Sequence, residues 1–324
     1  MVKLRAKTVL NVCIYSIQLL VLALLLLPLF AVELWWVDNL ANLQWQWSLC
    51  AILLIIINIA FKLRFRYLSI TVLSMTIIYQ QWFLLYQPQH SPFLDKQTLT
   101  IAQFNISYSN PYLNELLPQF GDPDFDILVL QEASDKQDIN ILSQYYPYSF
   151  GLEPLNASPS GLLIFSRWPI IESHSHVLTT AKTHILEVII QSPKQQIPVQ
   201  IYAIHPASPR SKILWQQRNK AFDDLAQLVN NSLLNNKIII GDFNSSHWTP
   251  AFSRLQQATL LKNSAAGFGY IPSWSYHQYH VFWPILSAYV DHCLVSQHIA
   301  VINKQLQMMP GSDHLLIKTT LAIP

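Results

Sequence analysis

Cysteine is nearly absent from this 324-residue chain. Two of its three cysteines, Cys13 and Cys50, lie within long apolar runs, and the third, Cys293, lies in a predicted strand. None has an evident soluble partner, so the sequence predicts neither a disulfide framework nor a thiolate metal site. The expected role of all three is that of small buried apolar side chains.

Charge is also scarce. Only 12% of the residues are charged and 51% are hydrophobic, which is too apolar for an ordinary soluble enzyme. From Gln97 onward there are 13 basic and 15 acidic residues, a net charge of −2 with histidine neutral. Proteins that grip long nucleic acid present a basic patch, because neutralising phosphates supplies much of their affinity. The charge balance therefore leaves nucleic acid open as a partner but disfavours it.

Glycine is the third scarce residue, with seven in the chain, all beyond residue 97. Gly161, Gly241 and Gly311 each border a predicted strand or a candidate site. They indicate positions where the backbone turns tightly or approaches a ligand, and ordinary turns are the alternative.

Long apolar runs are abundant, and they lie in the first 87 residues. Residues 9–32, 45–61 and 68–86 are each near the length that crosses about 30 Å of hydrocarbon as a helix. A cleaved signal peptide is the alternative for the first run, but the run is too long and has no small-residue cleavage site. The sequence predicts a membrane domain, residues 1–87, with three transmembrane helices and the lipid bilayer as partner.

The basic residues near these runs predict an orientation. They are Lys3, Arg5 and Lys7 before the first run, and Lys62, Arg64 and Arg66 between the second and third. The loop after the first run carries Glu33 and Asp38 and no basic residue. The positive-inside rule puts both basic clusters in the cytoplasm. We therefore expect a multi-pass protein of the plasma (inner) membrane, with a cytoplasmic N-terminus and an extracytoplasmic domain after the third span.

Residues 88–96 form a predicted linker, and residues 97–324 suffice for one α/β domain. Strands are predicted at residues 99–104, 125–130, 161–165, 185–190, 199–204, 238–240, 289–295 and 315–321. Helices are predicted at residues 110–120, 135–145 and 211–229. This mixture favours two packed sheets flanked by helices.

Polar residues directly follow several of these strands. Asp242 and Asn244 come after residues 238–240, and Asp313 and His314 come just before the last strand. Carboxylate and amide oxygens suit a hard divalent cation, and a histidine beside an aspartate suits proton transfer. The chemistry indicated is metal-assisted attack on a phosphate ester. Individually each residue has a simpler interpretation, such as a turn residue, a helix cap or a surface charge.

Seven segments in order carry a family resemblance. They are Gln103-Phe104-Asn105, Leu130-Gln131-Glu132, Gly161-Leu162-Leu163-Ile164-Phe165-Ser166-Arg167-Trp168-Pro169, Ala203-Ile204-His205-Pro206, Gly241-Asp242-Phe243-Asn244, Tyr289-Val290-Asp291-His292 and Ser312-Asp313-His314. Together they resemble the endonuclease/exonuclease/phosphatase superfamily, which has the deoxyribonuclease-I-like fold. The resemblance implies a four-layer α/β sandwich with two central sheets. The proline-rich loop after His205 and the three N-terminal spans resemble a bacterial membrane-bound branch, that of teicoplanin-resistance-type membrane phosphatases.

The resemblance also implies a role for each residue. Glu132 is the expected principal metal ligand, with Asn105 close by and Asp313 a possible further ligand, for Mg²⁺ or Mn²⁺. Asp242 and Asn244 are expected to orient the attacking water and contact the phosphate. His314 is the expected general base, held by Asp291. His205 is expected to contact a phosphate oxygen or assist the leaving group.

Two further segments bear on the substrate. The aromatic-rich residues 268–283 are expected to form a loop at the rim of the site, where they could stack on bases, meet a membrane interface or pack on the domain's own core. Arg210, Lys212, Arg218 and Lys220 form a basic cluster that could attract phosphate or could be a solvated helix face.

Three functions stay open at this point. The favoured one is a membrane-anchored phosphoesterase acting on a phosphorylated, lipid-linked substrate at the outer face of the membrane. The alternatives are an extracytoplasmic nuclease and a non-catalytic scaffold of the same fold.

Overall fold

The computed structural model describes residues 2–29, 34–85, 97–121, 124–134, 138–151, 160–194, 196–276 and 281–324. The predicted linker, residues 88–96, lies outside the described residues. The N-terminal helices are α1 (Val2–Leu26), α2 (Trp35–Ala41), α3 (Gln44–Ala60) and α4 (Arg66–Leu85). A 3-10 turn, Leu27–Leu29, extends α1.

Helices α1, α3 and α4 pack together around a small apolar core that includes Leu25, Ala51 and Leu73. Their outward faces are apolar too, since Leu19, Ile56 and Met75 are exposed. Two helices, Thr8–Leu29 and Arg66–Leu85, are long and apolar enough to span a membrane. The third span requires α2 and α3 to count as one, and they are bent by 64°. The described residues therefore contain two or three candidate spans.

The strands form two six-stranded mixed sheets. They are β1 (Gln97–Asn105), β2 (Ile127–Gln131), β3 (Tyr148–Phe150), β4 (Leu163–Ser166), β5 (Ile170–Leu178), β6 (Thr183–Gln191), β7 (Pro198–Ile204), β8 (Lys237–Asp242), β9 (Lys262–Asn263), β10 (Asp291–Val295), β11 (Ala300–Met308) and β12 (Leu315–Ile323). The first sheet has the order β11-β12-β1-β2-β4-β3, and the second has the order β5-β6-β7-β8-β10-β9. Only the pairs β1–β2 and β7–β8 are parallel among these strands.

Helices cover the outer faces of both sheets. They are α5 (Leu113–Leu116), α6 (Lys212–Asn231) and α7 (Pro250–Thr259), with 3-10 turns at Leu117–Gly121 and Ile139–Gln144. A further short helix, α8 (Trp283–Leu286), contacts α3. One apolar core lies between the sheets, a second under α5 and the 3-10 turns, and a third under α6 and α7. These cores make the domain an α/β sandwich, as predicted.

The structure confirms eight strands and helix α6 that were predicted from the sequence. Strands β3, β5, β9 and β11 and helix α7 were not predicted. Residues 110–120 form only the short α5 and a 3-10 turn, and Ile139–Gln144 is a 3-10 turn instead of an α-helix.

Candidate active site

The candidate site lies where six strands meet at one edge. Because β1 and β2 are parallel, both end there, and Asn105 is paired with Gln131, the residue before Glu132. The parallel strands β7 and β8 end there in the second sheet. Strand β10 runs the other way and begins with Asp291 opposite Asp242. Strand β12 is antiparallel to β1 and begins directly after His314.

Asn105 connects the acidic groups of the two sheets. Its amide nitrogen donates to Glu132 Oε1 at 3.1 Å and to Asp242 Oδ2 at 3.2 Å. Its amide oxygen accepts the Ser107 N–H at 3.0 Å, and the second oxygen of Glu132 accepts the Tyr108 N–H at 3.2 Å. In this arrangement Asn105 positions the two carboxylates, and its role as a direct metal ligand stays a prediction.

His314 lies between two buried carboxylates. Its Nδ1 is 2.8 Å from Asp291 Oδ2, and its Nε2 is 3.6 Å from Asp242 Oδ2. Burial lowers the pKa of His314, but the negative charges of Asp291 and Asp242 outweigh burial and raise that pKa to about 10. The proton on Nδ1 is thereby fixed toward Asp291, and Nε2 is directed at the centre of the site.

Asp242 is fully enclosed at the end of β8. Its pKa is raised to about 6, mainly by burial and also by the charge of Asp291, while His314, His205 and the Asn244 N–H lower it. Its Oδ1 accepts the backbone N–H of Asn244 at 2.8 Å. Asn244 adopts a left-handed backbone conformation, φ 49°, which turns the chain sharply after the strand and brings this N–H back to Asp242.

His205 and Asn244 approach the same centre from the loops that follow β7 and β8. The Nδ1 of His205 donates to Ser160 O at 3.0 Å, so its Nε2 faces Asp242 at 3.5 Å and Glu132 at 3.9 Å. The side-chain amide of Asn244 donates to Pro206 O at 3.1 Å, which joins the two loops.

Asp313 makes a different contact from the others. Its Oδ2 accepts the indole N–H of Trp274 at 2.8 Å. The neighbouring Ser312 donates its hydroxyl to Asn105 O at 2.7 Å and accepts the His314 N–H at 3.0 Å, which ties the segment to β1. The predicted metal role of Asp313 thus competes with its hydrogen bond to Trp274 of the aromatic-rich residues 268–283.

The donor set fits a hard divalent cation. Glu132 Oε1 and Asp242 Oδ2 share one amide donor, so two carboxylate oxygens are close neighbours, and a cation would offset their repulsion. The donor atoms of Asp242, Asp291 and His314 also lie within 4.8 Å of one another. That trio is better explained as a histidine that is hydrogen-bonded to Asp291 and has its other ring nitrogen 3.6 Å from Asp242. Glu132 with Asp242 is the pair whose geometry suits the cation.

Sequence reasoning assigned no role to two residues that support the site. The amide of Gln103 donates to Asp291 Oδ1 at 3.0 Å, and the Ser273 hydroxyl accepts the Asp291 N–H at 3.1 Å. Gln103 could have been found, because it lies two residues before Asn105 and so on the same face of β1. Ser273 carried no such signal.

Comparison with known proteins identifies the family. The model of the Endonuclease/Exonuclease/phosphatase family matches residues 102–314. The chain belongs to this family. No curated protein matches the chain.

Solved structures agree on the fold at low sequence identity. Sphingomyelinase C from Streptomyces griseocarneus has 15% identity and a TM-score of 0.52, over 69% of this chain and 99% of that one. A Neisseria 3′ phosphatase bound to a product DNA hairpin has 15% identity and a TM-score of 0.52, over 68% and 98%. Beta toxin from Staphylococcus aureus with bound magnesium ions has 16% identity and a TM-score of 0.53, over 69% and 99%. The family is one of endonucleases, exonucleases and phosphatases, which are phosphoester hydrolases, and its fold is shared by a sphingomyelinase, a 3′ phosphatase and a toxin that holds magnesium ions.

Proposed function

We propose that this protein is a membrane-anchored phosphoesterase that depends on a divalent metal. It hydrolyses a phosphate ester or pyrophosphate, of a lipid-linked substrate, at the outer face of the membrane. The observation that carries the proposal is the convergence of Glu132, Asp242, Asp291, His205 and His314 at one edge of the two sheets, each within 4 Å of another member.

Each side chain has a task in such a reaction. A divalent cation held by Glu132 and Asp242, when bound, supplies positive charge to the phosphoryl oxygens. Asp242 and Asn244 orient the attacking water. His314 takes the water's proton at Nε2, and Asp291 fixes the imidazole and stabilises its charged form. His205, held at Nδ1 by the Ser160 carbonyl, presents Nε2 to a phosphate oxygen or to the leaving group.

The contacts between the site and the N-terminal helices favour a lipid-linked substrate. Ser246, two residues after Asn244, donates its N–H to Asn42 Oδ1 at 2.7 Å. The Trp45 indole at the start of α3 donates to Pro284 O at 3.1 Å. The Trp248 indole donates to Gln80 O near the end of α4 at 2.9 Å. These helix ends and the loops bordering the site are therefore on the same side of the helical bundle.

An exposed apolar segment adjoins these contacts. Val281 is 89% exposed, Phe282 55% and Ile285 52%. The segment is tied to α3 by Gln46, whose amide donates to Ile285 O at 2.9 Å. Apolar side chains next to the end of a membrane helix gain free energy by entering the interface. This arrangement would keep the site in the plane of a lipid substrate and raise its effective concentration.

The test is hydrolysis by the purified full-length chain in detergent with Mg²⁺, measured as products of the lipid substrates and as strand cleavage of DNA. Polyprenyl pyrophosphate, a phospholipid and double-stranded DNA are compared, with Asp242→Ala and His314→Ala as inactive variants. Asp126→Ala is the matched control, because Asp126 lies at the opposite end of the first sheet, where it accepts the Thr100 N–H at 2.8 Å. Release from a lipid substrate that needs Asp242 and His314 supports the proposal. Cleavage of DNA alone would favour the nuclease, and no reaction at all would favour the scaffold.

A further inference from the structure

A buried ion pair joins the N-terminal helices to the catalytic domain. Asp38 in α2 and Arg218 in α6 are in direct contact, and their side chains are 1% and 0% exposed. Among the described residues, the other oxygen of Asp38 has no hydrogen-bond partner, so the contact with Arg218 is the ion pair that compensates its charge. A buried charge costs much stability unless it is paired, so this contact must form when the two parts dock.

Arg218 extends this contact to the candidate active site. Its Nη1 donates to the carbonyl of Asn244 at 3.3 Å, and its Nη2 and Nε donate to Asn219 Oδ1 at 2.8 and 3.1 Å. The rigid guanidinium fork therefore fixes Asn244 relative to both α6 and Asp38. The backbone N–H of Asn244 in turn donates a hydrogen bond to Asp242 Oδ1.

The C-terminal end of α2 makes two further hydrogen bonds to the loop that contains Asn244. Asn42 Oδ1 accepts the Ser246 N–H at 2.7 Å, and Ala41 O accepts the Ser246 hydroxyl at 3.3 Å. The backbone carbonyl of Ser245, the residue between Asn244 and Ser246, accepts a hydrogen bond from His292 Nε2 at 2.8 Å. Residues 244–246 are thus attached to α2 on one side and to β10 on the other.

We propose that Asp38 and Arg218 are positioning residues, and that docking of α2 completes the active site by fixing Asn244. The inference rests on the proposed function, because it assigns the helices preceding the domain a part in the reaction beyond anchoring. Arg218 is consequently not available to attract phosphate, although Arg210, Lys212 and Lys220 of the same cluster are exposed.

The first test separates positioning from folding. In full-length protein, Asp38→Asn is expected to lower kcat at least tenfold with little change in KM. Asp224→Asn, which removes the Lys220–Asp224 ion pair on α6, the helix that carries Arg218, is the matched control and is expected to leave kcat unchanged.

The double variant Asp38→Leu with Arg218→Met removes both buried charges and the donor to Asn244. We expect its unfolding temperature to recover relative to Asp38→Asn while kcat stays low. Recovery of kcat together with stability would overturn the positioning role, as would an unchanged kcat in Asp38→Asn.

The second test needs no activity, so it separates this inference from the proposed function. Amide hydrogen exchange is followed in peptides covering residues 243–249 and, as an internal reference, strand β8. Asp38→Asn is expected to speed exchange of residues 243–249 at least tenfold while β8 is unchanged, and Asp224→Asn to alter neither. Unchanged exchange in Asp38→Asn would refute the inference, whereas an inactive wild type with the expected exchange would refute only the proposed function.

Discussion

Replacing Asp291 by asparagine tests whether His314 acts as the general base. The substitution keeps the size of the side chain and the Gln103 contact, but it removes the negative charge 2.8 Å from His314 Nδ1. A general base works only when its accepting nitrogen is unprotonated. Activity should therefore rise with pH through the pKa of His314, and the pH of that rise reports the field around the imidazole.

The size of the shift follows from the separation of the two charge centres, which is larger than the 2.8 Å between the contacting atoms. Two unit charges about 4 Å apart interact by about 4 kcal/mol at an effective dielectric constant of about 20. At about 1.4 kcal/mol per pH unit, this corresponds to about three units. Since carboxylates raise the pKa of His314 from 6.5 to about 10, losing Asp291 should return it toward 6.5. The acidic limb of the activity profile then moves to lower pH.

The maximal rate should fall at the same time. A positioned general base contributes about 10²- to 10⁴-fold, and the uncharged amide of the Asp291→Asn variant cannot stabilise the charged imidazolium. The assay is kcat/KM against pH at saturating Mg²⁺, with Asp126→Asn as the matched control. An acidic limb that does not move in Asp291→Asn, or a rate equal to that of the wild type, would refute the assignment of His314 as the base.

Three further predictions concern stability and topology. Gly241→Ala places a Cβ 1.8 Å from Ile204 O, so β7 and β8 must separate. We expect the unfolding free energy to fall by about 2 kcal/mol or more. The control, Gly269→Ala, should lose less, because its Cβ meets nothing within 4 Å. Equal losses in thermal unfolding would contradict this. Burial lowers the pKa of His292 to about 3, so its contribution to stability is full above pH 6.5 and falls by up to about 1.4 kcal/mol per pH unit below it. His292→Asn should show a flatter dependence of unfolding free energy on pH, and an identical slope would be the contrary result. A reporter fused after Pro324 should be extracytoplasmic, and a cytoplasmic reporter would reverse the predicted orientation.

The buried strands were predictable because their composition is uniform. Strand β8 carries Ile238, Ile239 and Ile240 in its interior, all buried, and it ends in the Gly241-Asp242 turn. Such runs are recognisable since both faces of a central strand are covered. Because the motif residues directly follow these runs, their meeting at one edge of the sheets was predictable as well.

The edge strands were not predictable in the same way. Strands β5 and β11 lie at the ends of their sheets, and most of their residues are exposed or half-buried. Exposed polar residues such as Glu172 and Gln305 interrupt their apolar pattern, as is common where one side of a strand faces solvent. Helix α7 did carry a signal, since Thr249 caps it and Pro250 occupies its first turn.

Contacts between distant parts of the chain lay beyond sequence reasoning. Asp38 and Arg218 are 180 residues apart, and each alone resembles an ordinary surface charge. The Trp274 contact to Asp313 is similar, because the aromatic-rich segment allowed several interpretations. Its residues 277–280 lie outside the part of the chain that the structure describes. Only the fold determines which of these side chains meet.

The most direct test of the central claim is phosphate release from vesicles containing the reconstituted full-length chain and a polyprenyl pyrophosphate. Wild type is compared with Glu132→Gln, with and without EDTA. We predict release that requires Mg²⁺ or Mn²⁺, stops with EDTA and falls at least about 100-fold in Glu132→Gln. Release that persists in EDTA, or that Glu132→Gln retains in full, would contradict a divalent-metal phosphoesterase centred on these residues.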